Sequence, residues 1–259
     1  MTNLLTTDFR DGCLTVTLQR PEKRNALSRA LLAEIGATFR DWRQREDLRL
    51  AVVTGAGDKA FAAGGDLKEL NAVRSEQQAI AFANEARMAL DAIRIFPVPV
   101  VAFINGDAYG GGAELALACD IRIAAEHAKI GFFQARIAVS TAWGGGSDLF
   151  QLLPAKALAL LCKAEAMDAQ TARDIGLVDE IVPTGSRAGE CARAYLHKLA
   201  ANSPQVMRAF KSLAIKHRFG SSHAEKIQAE VACFVKTWVH EDHWSAVQRL
   251  TARNHERGE

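Results

Sequence analysis

Residues 104–120 read INGDAYGGGAELALACD, and this stretch decides which fold the rest of the chain can adopt. An apolar run ends at Ile104, three consecutive glycines occupy 110–112, and a helical pattern begins directly after them. Glycine adopts backbone conformations with positive φ and lets the main chain approach a ligand closely. The first N–H groups of a helix have no partner within that helix. The stretch therefore predicts a strand-to-helix turn that presents unpaired amides.

A second stretch, KAFAAGGDLKEL (59–70), has the same form and follows an earlier apolar run. That run, LRLAVVTG (48–55), is continuous and ends at a glycine, as expected for a strand buried on both faces. VVAFING (100–106) follows Pro97 and Pro99 and is the strand before the glycine triplet. The other predicted elements are a strand at Cys13–Leu18, helices at 28–45 and 75–96, and a continuation of the pattern through 114–120, 121–126 and 176–183. Alternating strands and helices predict an α/β fold.

The C-terminal part of the chain has a different character from residue 186 onward. It contains no convincing strand and four helical stretches: GECARAYLHKLAA, PQVMRAFKSLAIKH, EKIQAEVACFVKTWV and HWSAVQRLTARN. We therefore predict an α/β core at 1–185 and a helical C-terminal region at 186–259.

The composition is that of an ordinary globular protein and excludes several classes. With 259 residues, 49% hydrophobic residues and a net charge of +2, the chain can form one large core and has no excess charge directed at nucleic acid or anionic membranes. No apolar run has the length of a membrane span, and the N-terminus lacks a secretion signal pattern. The five cysteines form no C-x-x-C pair, which indicates reduced thiols. We expect a cytoplasmic protein.

Searches for cofactor and metal motifs give weak or negative results. Neither a dinucleotide-binding glycine fingerprint nor a phosphate-binding loop motif occurs, so no separate cofactor is expected. His240 and His243 lie one turn apart, but they lack the spacing of a zinc-binding helix, and two surface histidines are the simpler interpretation. We expect no metal. The basic residues Arg20, Lys23 and Arg24 suit either phosphate contacts or an exposed charged turn.

The two glycine turns together supply the parts of a catalytic site. Two unpaired N–H groups, one from each turn, are the minimum needed to hold a developing oxyanion, and one such donor contributes about 3–4 kcal/mol. Glu114 follows Gly111 by three residues, about one helical turn, which places its carboxylate beside the Gly111 amide. A base in that position suits proton transfer at the carbon next to a polarised carbonyl. The alternative is a purely structural role. A triple glycine can allow close packing, and a glutamate near a helix N-terminus can interact favourably with the helix dipole.

These segments, in this order, resemble the enoyl-CoA hydratase/isomerase (crotonase) superfamily. The resemblance covers most of the chain and rests on RPEKRNALS (20–28), AFAAGGDLKEL (60–70), VVAFINGDAYGGGAELALACDIRIA (100–124), AWGGG (142–146) and ARDIGLVDEIVP (172–183). It implies a spiral of ββα units, a helical C-terminal region that completes a neighbour's site, and a homotrimer or dimer of trimers. It also implies acyl-CoA thioester substrates, with coenzyme A as part of the substrate.

By position, the resemblance assigns residues to roles. Gly65 and Gly111 match the two oxyanion donors, and Glu114 matches the first of two catalytic glutamates. Ala63 matches the position whose backbone meets the adenine. The remaining substrate-contact positions are Lys23, Ala26 and Leu27 in the first turn, Gly64, Asp66, Leu67 and Lys68 along the thioester, and Trp143 in the third glycine turn.

The sequence departs from the family pattern at the second glutamate. The register of GFFQARIAVS (131–140) places Arg136 there, and an arginine stays protonated and cannot act as a base. An inward-pointing Arg136 would instead bind a substrate carboxylate, as in a malonyl-type acyl-CoA decarboxylase. A solvent-facing Arg136, or a shift of the register, is the alternative. The missing glutamate also leaves open a non-catalytic member that binds acyl-CoA or acts as a scaffold.

Overall fold

The computed structural model describes residues 4–183, 188–243, 245 and 246. The strands are β1 (Leu5–Arg10), β2 (Cys13–Leu18), β3 (Leu50–Gly55), β4 (Ala60–Ala62), β5 (Val100–Ile104), β6 (Asp107–Tyr109), β7 (Ile121–Ala125), β8 (Lys129–Gly131), β9 (Ala166–Asp168) and β10 (Glu180–Val182). The α-helices are α1 (Arg29–Trp42), α2 (Leu67–Leu70), α3 (Glu76–Arg94), α4 (Gly111–Ala118), α5 (Gly145–Leu152), α6 (Ala157–Lys163), α7 (Ala169–Asp174), α8 (Ala188–Ala200), α9 (Pro204–Arg218) and α10 (His223–Trp238). Short 3-10 turns occur at Pro21–Lys23 and Phe133–Ile137.

The strands form two sheets. The larger has the order β1-β2-β3-β5-β7-β10, and the smaller has the order β4-β6-β8-β9. All neighbouring strands pair in parallel except β1 with β2 and β8 with β9. Strands of the two sheets alternate along the chain from β3 to β8, so each β3-β4 and β5-β6 connection crosses from one sheet to the other. This crossing places the glycine turns after β4 and β6 side by side.

Burial explains why the central strands form. β3 and β5 are apolar along their lengths and pair in parallel through Val52 and Val101, as strands covered on both faces do. Helices α1 and α3 pack together over the sheet, with Phe39 meeting Phe96 edge to face at 4.9 Å. The α/β prediction is confirmed.

Two helix starts agree with the sequence prediction because their caps are local. The hydroxyl of Ser28 accepts a hydrogen bond from the Leu31 amide, and Ser75 forms a capping box with Gln78. The helix ends differ by a few residues, since α1 stops at Trp42 and α3 at Arg94. Helix ends carry weaker sequence signals than capped starts.

Several elements were not predicted. β1 pairs with β2 along its full length, but most of its residues are exposed, so it lacks an alternating apolar pattern. β4, β6, β8 and β9 have three residues each, too few to show a period. The segment 114–120 mostly belongs to helix α4, in agreement with the helical pattern predicted after the glycine triplet. Only Glu180–Val182 of 176–183 is extended.

The C-terminal helices contact the core through buried charges. Lys211 on α9 is 2% exposed and donates to both carboxylate oxygens of Asp120, at 2.6 and 2.5 Å. Arg218 donates to the carbonyls of Leu117, Ala118 and Cys119 at the end of α4. The predicted helices within 188–243 are present, whereas most of HWSAVQRLTARN and the proposed boundary at 185/186 lie outside the described residues. None of the described helices combines the length and apolarity needed to cross a membrane.

Candidate active site

A cavity of about 470 Å³ lies at the two glycine turns. Its wall is mainly apolar and includes Phe82 on α3 and Phe133 in the second 3-10 turn. Among the sequence-predicted site residues, those that line it are Ala63, Gly64, Gly65, Gly111, Glu114, Arg136 and Trp143. The fold therefore brings both glycine turns and Glu114 to one cavity. A mostly apolar pocket with a few convergent polar groups is the usual form of a small-molecule site.

The Gly65 amide is left unpaired by the way its turn is held. Gly65 forms an isolated parallel bridge with Leu27. The hydrogen bonds of that bridge run from the Leu27 amide to the Gly64 carbonyl and from the Asp66 amide to the Leu27 carbonyl. They use the groups on either side of Gly65, so its own N–H is not part of the bridge. Within the described residues we find no other partner for it.

The Gly111 amide is the first of helix α4, and no described residue accepts a hydrogen bond from it. Gly64, in the other turn, has a φ of +107°, and a Cβ built on it would lie 3.7 Å from the Gly111 nitrogen and 3.1 Å from the Tyr109 carbonyl oxygen. The turns thus approach each other so closely that glycine is needed at Gly64. The two unpaired amides come from adjacent segments of backbone.

The indole of Trp143 packs against both turns. A Cβ on Gly111 would lie 2.2 Å from the ring, and a Cβ on Gly65 would lie 3.6 Å from it. Phe82 meets the same ring edge to face at 5.8 Å. The Trp143 ring therefore packs against both glycines and also forms part of the cavity wall.

Glu114 is buried, with 2% exposure, and its carboxylate is held on both oxygens. Oε2 accepts hydrogen bonds from the amides of Trp143 at 3.0 Å and Gly145 at 2.9 Å. Oε1 accepts one from Nε2 of Gln134 at 2.9 Å. A carboxylate oxygen can accept two hydrogen bonds, so Oε1 retains acceptor capacity beside the cavity.

The pKa of Glu114 is raised above its ordinary value of 4.5, chiefly because burial penalises the charged carboxylate. The donors from Gly145, Trp143 and Gln134 and the charge of Arg94 act in the opposite direction. A buried carboxylate with a raised pKa beside a cavity is typical of a general acid/base.

The structure corrects the register of the segment after β8. Gln134, and not Arg136, contacts Glu114. Arg136 is exposed, its Nε donates to the Ala164 carbonyl at 2.6 Å, and its guanidinium stacks on Phe133 at 4.0 Å. It lies on the cavity wall without contacting Glu114. The shift arises because the 3-10 turn brings Gln134, three residues after Gly131, back towards α4.

Other sequence-predicted contact residues lie away from the cavity wall. Asp66 pairs with the buried Arg20 at 2.8 Å, an interaction that holds the pKa of Asp66 below its ordinary value. Arg20 is therefore a structural residue and not part of an exposed turn. Lys23 and Lys68 are exposed, Ala26 is half-buried and Leu27 is buried. The Leu67 side chain lies outside the described residues.

The histidine pair of the late helix has surface partners. His240 lies 3.6 Å from Asp242, and the His243 ring lies 4.6 Å from that of Trp238. Over the described ranges, no group of three or more histidine, cysteine or acidic side chains is placed to hold a metal.

Sequence reasoning missed Gln134, which donates to Glu114, and Arg94, which donates to the turn that binds Glu114. Arg94 donates from Nη2 to the Trp143 carbonyl at 2.9 Å, behind the turn that binds Glu114. A basic residue in the last turn of a helix is explained by the helix dipole alone, so its position gives no signal of this contact. Gln134 had no usable signal either, because β8, from whose end its register could be counted, has only three residues and was not predicted.

Comparisons with known proteins identify the family to which the chain belongs. The family model described as enoyl-CoA hydratase/isomerase matches residues 8–255. The chain is 35% identical over 201 residues to (E)-benzylidenesuccinyl-CoA hydratase of Thauera aromatica, covering 77% of each chain. It is 30% identical over 230 residues to mitochondrial methylglutaconyl-CoA hydratase of Mus musculus, covering 87% of this chain and 73% of that protein.

Solved structures give the same result for the fold. The crystal structure of an enoyl-CoA hydratase from Bacillus anthracis superposes with a TM-score of 0.89 and 32% identity over 97% of both chains. The Pseudomonas aeruginosa DspI structure gives a TM-score of 0.88 and 31% identity over 97% of this chain and 95% of that one. The crotonase-like fold expected from the sequence is confirmed, and the chain belongs to the enoyl-CoA hydratase/isomerase family.

Proposed function

We propose that this protein acts on enoyl-CoA thioesters through an enolate-like intermediate, with Glu114 as the single acid/base. The thioester oxygen is held by the amides of Gly65 and Gly111. The observation that carries the proposal is the meeting of two unpaired amides and one buried carboxylate at the same cavity. The names of the curated relatives favour hydration as the reaction.

The amides act when negative charge develops on the thioester oxygen. In hydration, a water oxygen bonds to the β carbon while Glu114 takes a proton from that water. The electron pair of the double bond moves towards the thioester oxygen, where the amides of Gly65 and Gly111 stabilise it. Protonated Glu114 then returns the proton to the α carbon, which restores the carbonyl. Each amide is expected to contribute about 3–4 kcal/mol to the transition state.

Gln134 takes the place next to Glu114 that a second acid/base would occupy, and a carboxamide does not exchange protons at neutral pH. Glu114 must therefore take and return the proton itself. Losing one of two acid/base groups typically costs about 10²–10⁴ in rate. We expect a slower hydratase than one with two carboxylates, or an enzyme whose preferred reaction is a double-bond shift that needs only one.

Coenzyme A enters as part of the substrate, and no separate cofactor is required. We propose that the backbone near Ala63 meets the adenine and that Lys23 and Lys68, both exposed, contact phosphates. The segments joined by the Leu27–Gly65 bridge contain three further predicted contact residues, Ala26, Leu27 and Asp66. We propose that they stabilise the backbone conformation that contacts coenzyme A.

Turnover of crotonyl-CoA, 3-hexenoyl-CoA and methylmalonyl-CoA tests the proposal, with Glu114→Gln as the inactive variant and the exposed Glu126→Gln as its matched control. We expect Glu114→Gln to lose at least about 10²-fold in kcat and Glu126→Gln to keep wild-type rates. Wild-type rates in Glu114→Gln would overturn the assignment. Acyl-CoA binding without turnover of any substrate would favour the non-catalytic alternative. Preferred turnover of methylmalonyl-CoA would favour the decarboxylase alternative, which no present finding favours.

We also propose that the protein assembles as a homotrimer or a dimer of trimers through its C-terminal helices. Helix α10 exposes an apolar set that a monomer leaves in water: Ile227, Val231, Phe234, Val235 and Trp238. Light scattering after size exclusion gives the assembly mass. A monomeric mass at micromolar concentration would contradict this proposal without affecting the catalytic one.

A further inference from the structure

Arg94 is a buried cation behind the turn that binds Glu114. It ends α3 and is 3% exposed. Its Nε donates to Oδ2 of Asp148 at 2.9 Å, and its Nη1 donates to Oδ1 of Asp91 at 2.9 Å. Its Nη2 donates to the Trp143 carbonyl at 2.9 Å. A guanidinium held at all three nitrogens has one orientation.

The turn of Trp143, Gly144 and Gly145 lies between Arg94 and the Glu114 carboxylate. On one face, the amides of Trp143 and Gly145 donate to Oε2 of Glu114. On the other face, the Trp143 carbonyl accepts from Arg94. Gly144 has a φ of +93°, and a Cβ there would lie 2.7 Å from Nη2 of Arg94. Glycine is therefore required for the guanidinium to reach the turn.

We propose that Arg94 is a positioning residue for Glu114 and acts through this glycine turn. The inference rests on the proposed acid/base function of Glu114 and deepens it. Arg94 is not part of the cavity wall within the described residues, so it does not touch substrate. Its hydrogen bond to the Trp143 carbonyl fixes the direction of the two amides that hold Oε2. Its charge favours the ionised carboxylate that accepts the proton.

Several other charged groups lie on the elements packed around Glu114. They are Asp91 on α3, Asp148 on α5, Arg136 on the 3-10 turn, Asp120 at the end of α4 and Arg218 on α9. Arg94 is the charge that lowers the pKa of Glu114, against the larger rise caused by burial. Asp148 lies 2.8 Å from Arg94 and is 7% exposed, so it offsets part of that charge.

The two members of this ion pair should therefore shift the activity profile in opposite directions. Removing the cation in Arg94→Met raises the pKa of Glu114, so the acid limb of kcat/KM moves to higher pH. Removing the anion in Asp148→Asn leaves Arg94 less compensated, so the acid limb moves to lower pH. We expect shifts of about half a pH unit or more. A purely structural role for the pair would give both variants the same direction or no shift.

The measurement is kcat/KM for crotonyl-CoA hydration against pH, with deuterium exchange at the α carbon of butyryl-CoA as a second readout. Arg87→Met is the matched control, because Arg87 pairs with the same Asp91 from the exposed side of α3 and does not touch the turn. Arg94→Lys does not reproduce the hydrogen bonds of the guanidinium, but it keeps the charge, so its acid limb should stay within about 0.3 pH unit of wild type. We expect Arg87→Met to leave the profile unchanged.

The outcomes separate this inference from the proposed function. Opposite shifts in Arg94→Met and Asp148→Asn support it, and shifts in one direction, or no larger than in Arg87→Met, overturn it. If Arg94→Met does not fold, a shift of the acid limb to lower pH in Asp148→Asn beside an unshifted Arg94→Lys supports the inference, and an unshifted Asp148→Asn overturns it. Wild-type turnover in Glu114→Gln would instead overturn the proposed function. If Glu114→Gln is inactive and the acid limb of Arg94→Met is unshifted, only the proposed role of Arg94 is removed.

Discussion

Nε2 of Gln134 donates a hydrogen bond to Oε1 of Glu114 at 2.9 Å, while the other end of the same carboxamide has no partner. The Gln134 carbonyl oxygen is buried, and among the described residues nothing donates to it. A buried acceptor without a partner costs about 1–3 kcal/mol. Gln134 thus supports Glu114 at the expense of folding stability.

Gln134→Met keeps the length of the side chain and removes both amide atoms. We expect kcat to fall at least about tenfold, because Oε1 of Glu114 loses its donor. We expect the melting temperature to stay the same or rise, because the unpartnered oxygen disappears. Steady-state kinetics and thermal unfolding of one preparation check both results. The control is Gln170→Met on the exposed face of α7, and a large loss of stability in Gln134→Met would contradict the prediction.

Gly111→Ala tests the contact between the glycine triplet and the indole. The added Cβ would lie 2.2 Å from the Trp143 ring, so the ring or the first turn of α4 must move. We expect a loss of about 1–3 kcal/mol in the free energy of unfolding and a fall of about 10² or more in kcat.

Trp143→Ala removes the clashing ring but keeps the backbone amide that donates to Glu114. The double variant Gly111→Ala/Trp143→Ala should therefore be destabilised by less than the sum of the two single variants. Chemical denaturation of all four proteins gives this comparison. Strict additivity would mean that the ring and the glycine do not interact.

Glu114→Gln should alter stability in a pH-dependent way. Burial raises the pKa of Glu114 in the folded chain above its unfolded value, so folding favours the protonated form. The stability that comes from this proton is present below the unfolded pKa and is lost as pH rises through the folded pKa. Above the folded-state pKa the ionised carboxylate is unfavourable to folding, and there we expect the neutral glutamine to be the more stable side chain.

The same linkage predicts that the advantage of Glu114→Gln shrinks on acidification, as wild-type Glu114 takes up its proton. Denaturant titrations from about pH 7.5 down to about pH 5 measure the difference. Glu126→Gln, at an exposed position, should show no such trend. An advantage that grows towards acid would have the wrong sign and would exclude a raised pKa.

Lys211→Met tests the attachment of α9 to the core. The Lys211 amine is buried and pairs with both oxygens of Asp120, so the variant leaves a mostly buried carboxylate whose remaining cation, Arg218, lies farther away at 3.8 Å. We expect a loss of about 3 kcal/mol in the free energy of unfolding. Lys216→Met, at an exposed position on the same helix, is the control and should change stability by less than about 0.5 kcal/mol. Equal effects of the two variants would show that the buried pair contributes nothing.

The sequence by itself determined the features that depend on neighbouring residues. The serine caps of α1 and α3, the unbroken apolar runs of β3 and β5, and the three-residue interval from Gly111 to Glu114 are all local. These features depend on local hydrogen bonds and on side-chain periodicity, so they can be predicted from the sequence without a structure. The family resemblance extended this reading to both glycine turns.

The tertiary structure alone decided which groups surround Glu114. Gln134 lies 20 positions from it and Gly145 lies 31, and no local pattern specifies such contacts. Arg94 reaches the Trp143 carbonyl across 49 positions because α3 and α5 both pack beside α4. An alignment of sequence could place Arg136 or Gln134 opposite Glu114 equally well. The chain path through two crossed sheets and a 3-10 turn selected Gln134, because only that path brings its carboxamide within hydrogen-bonding distance.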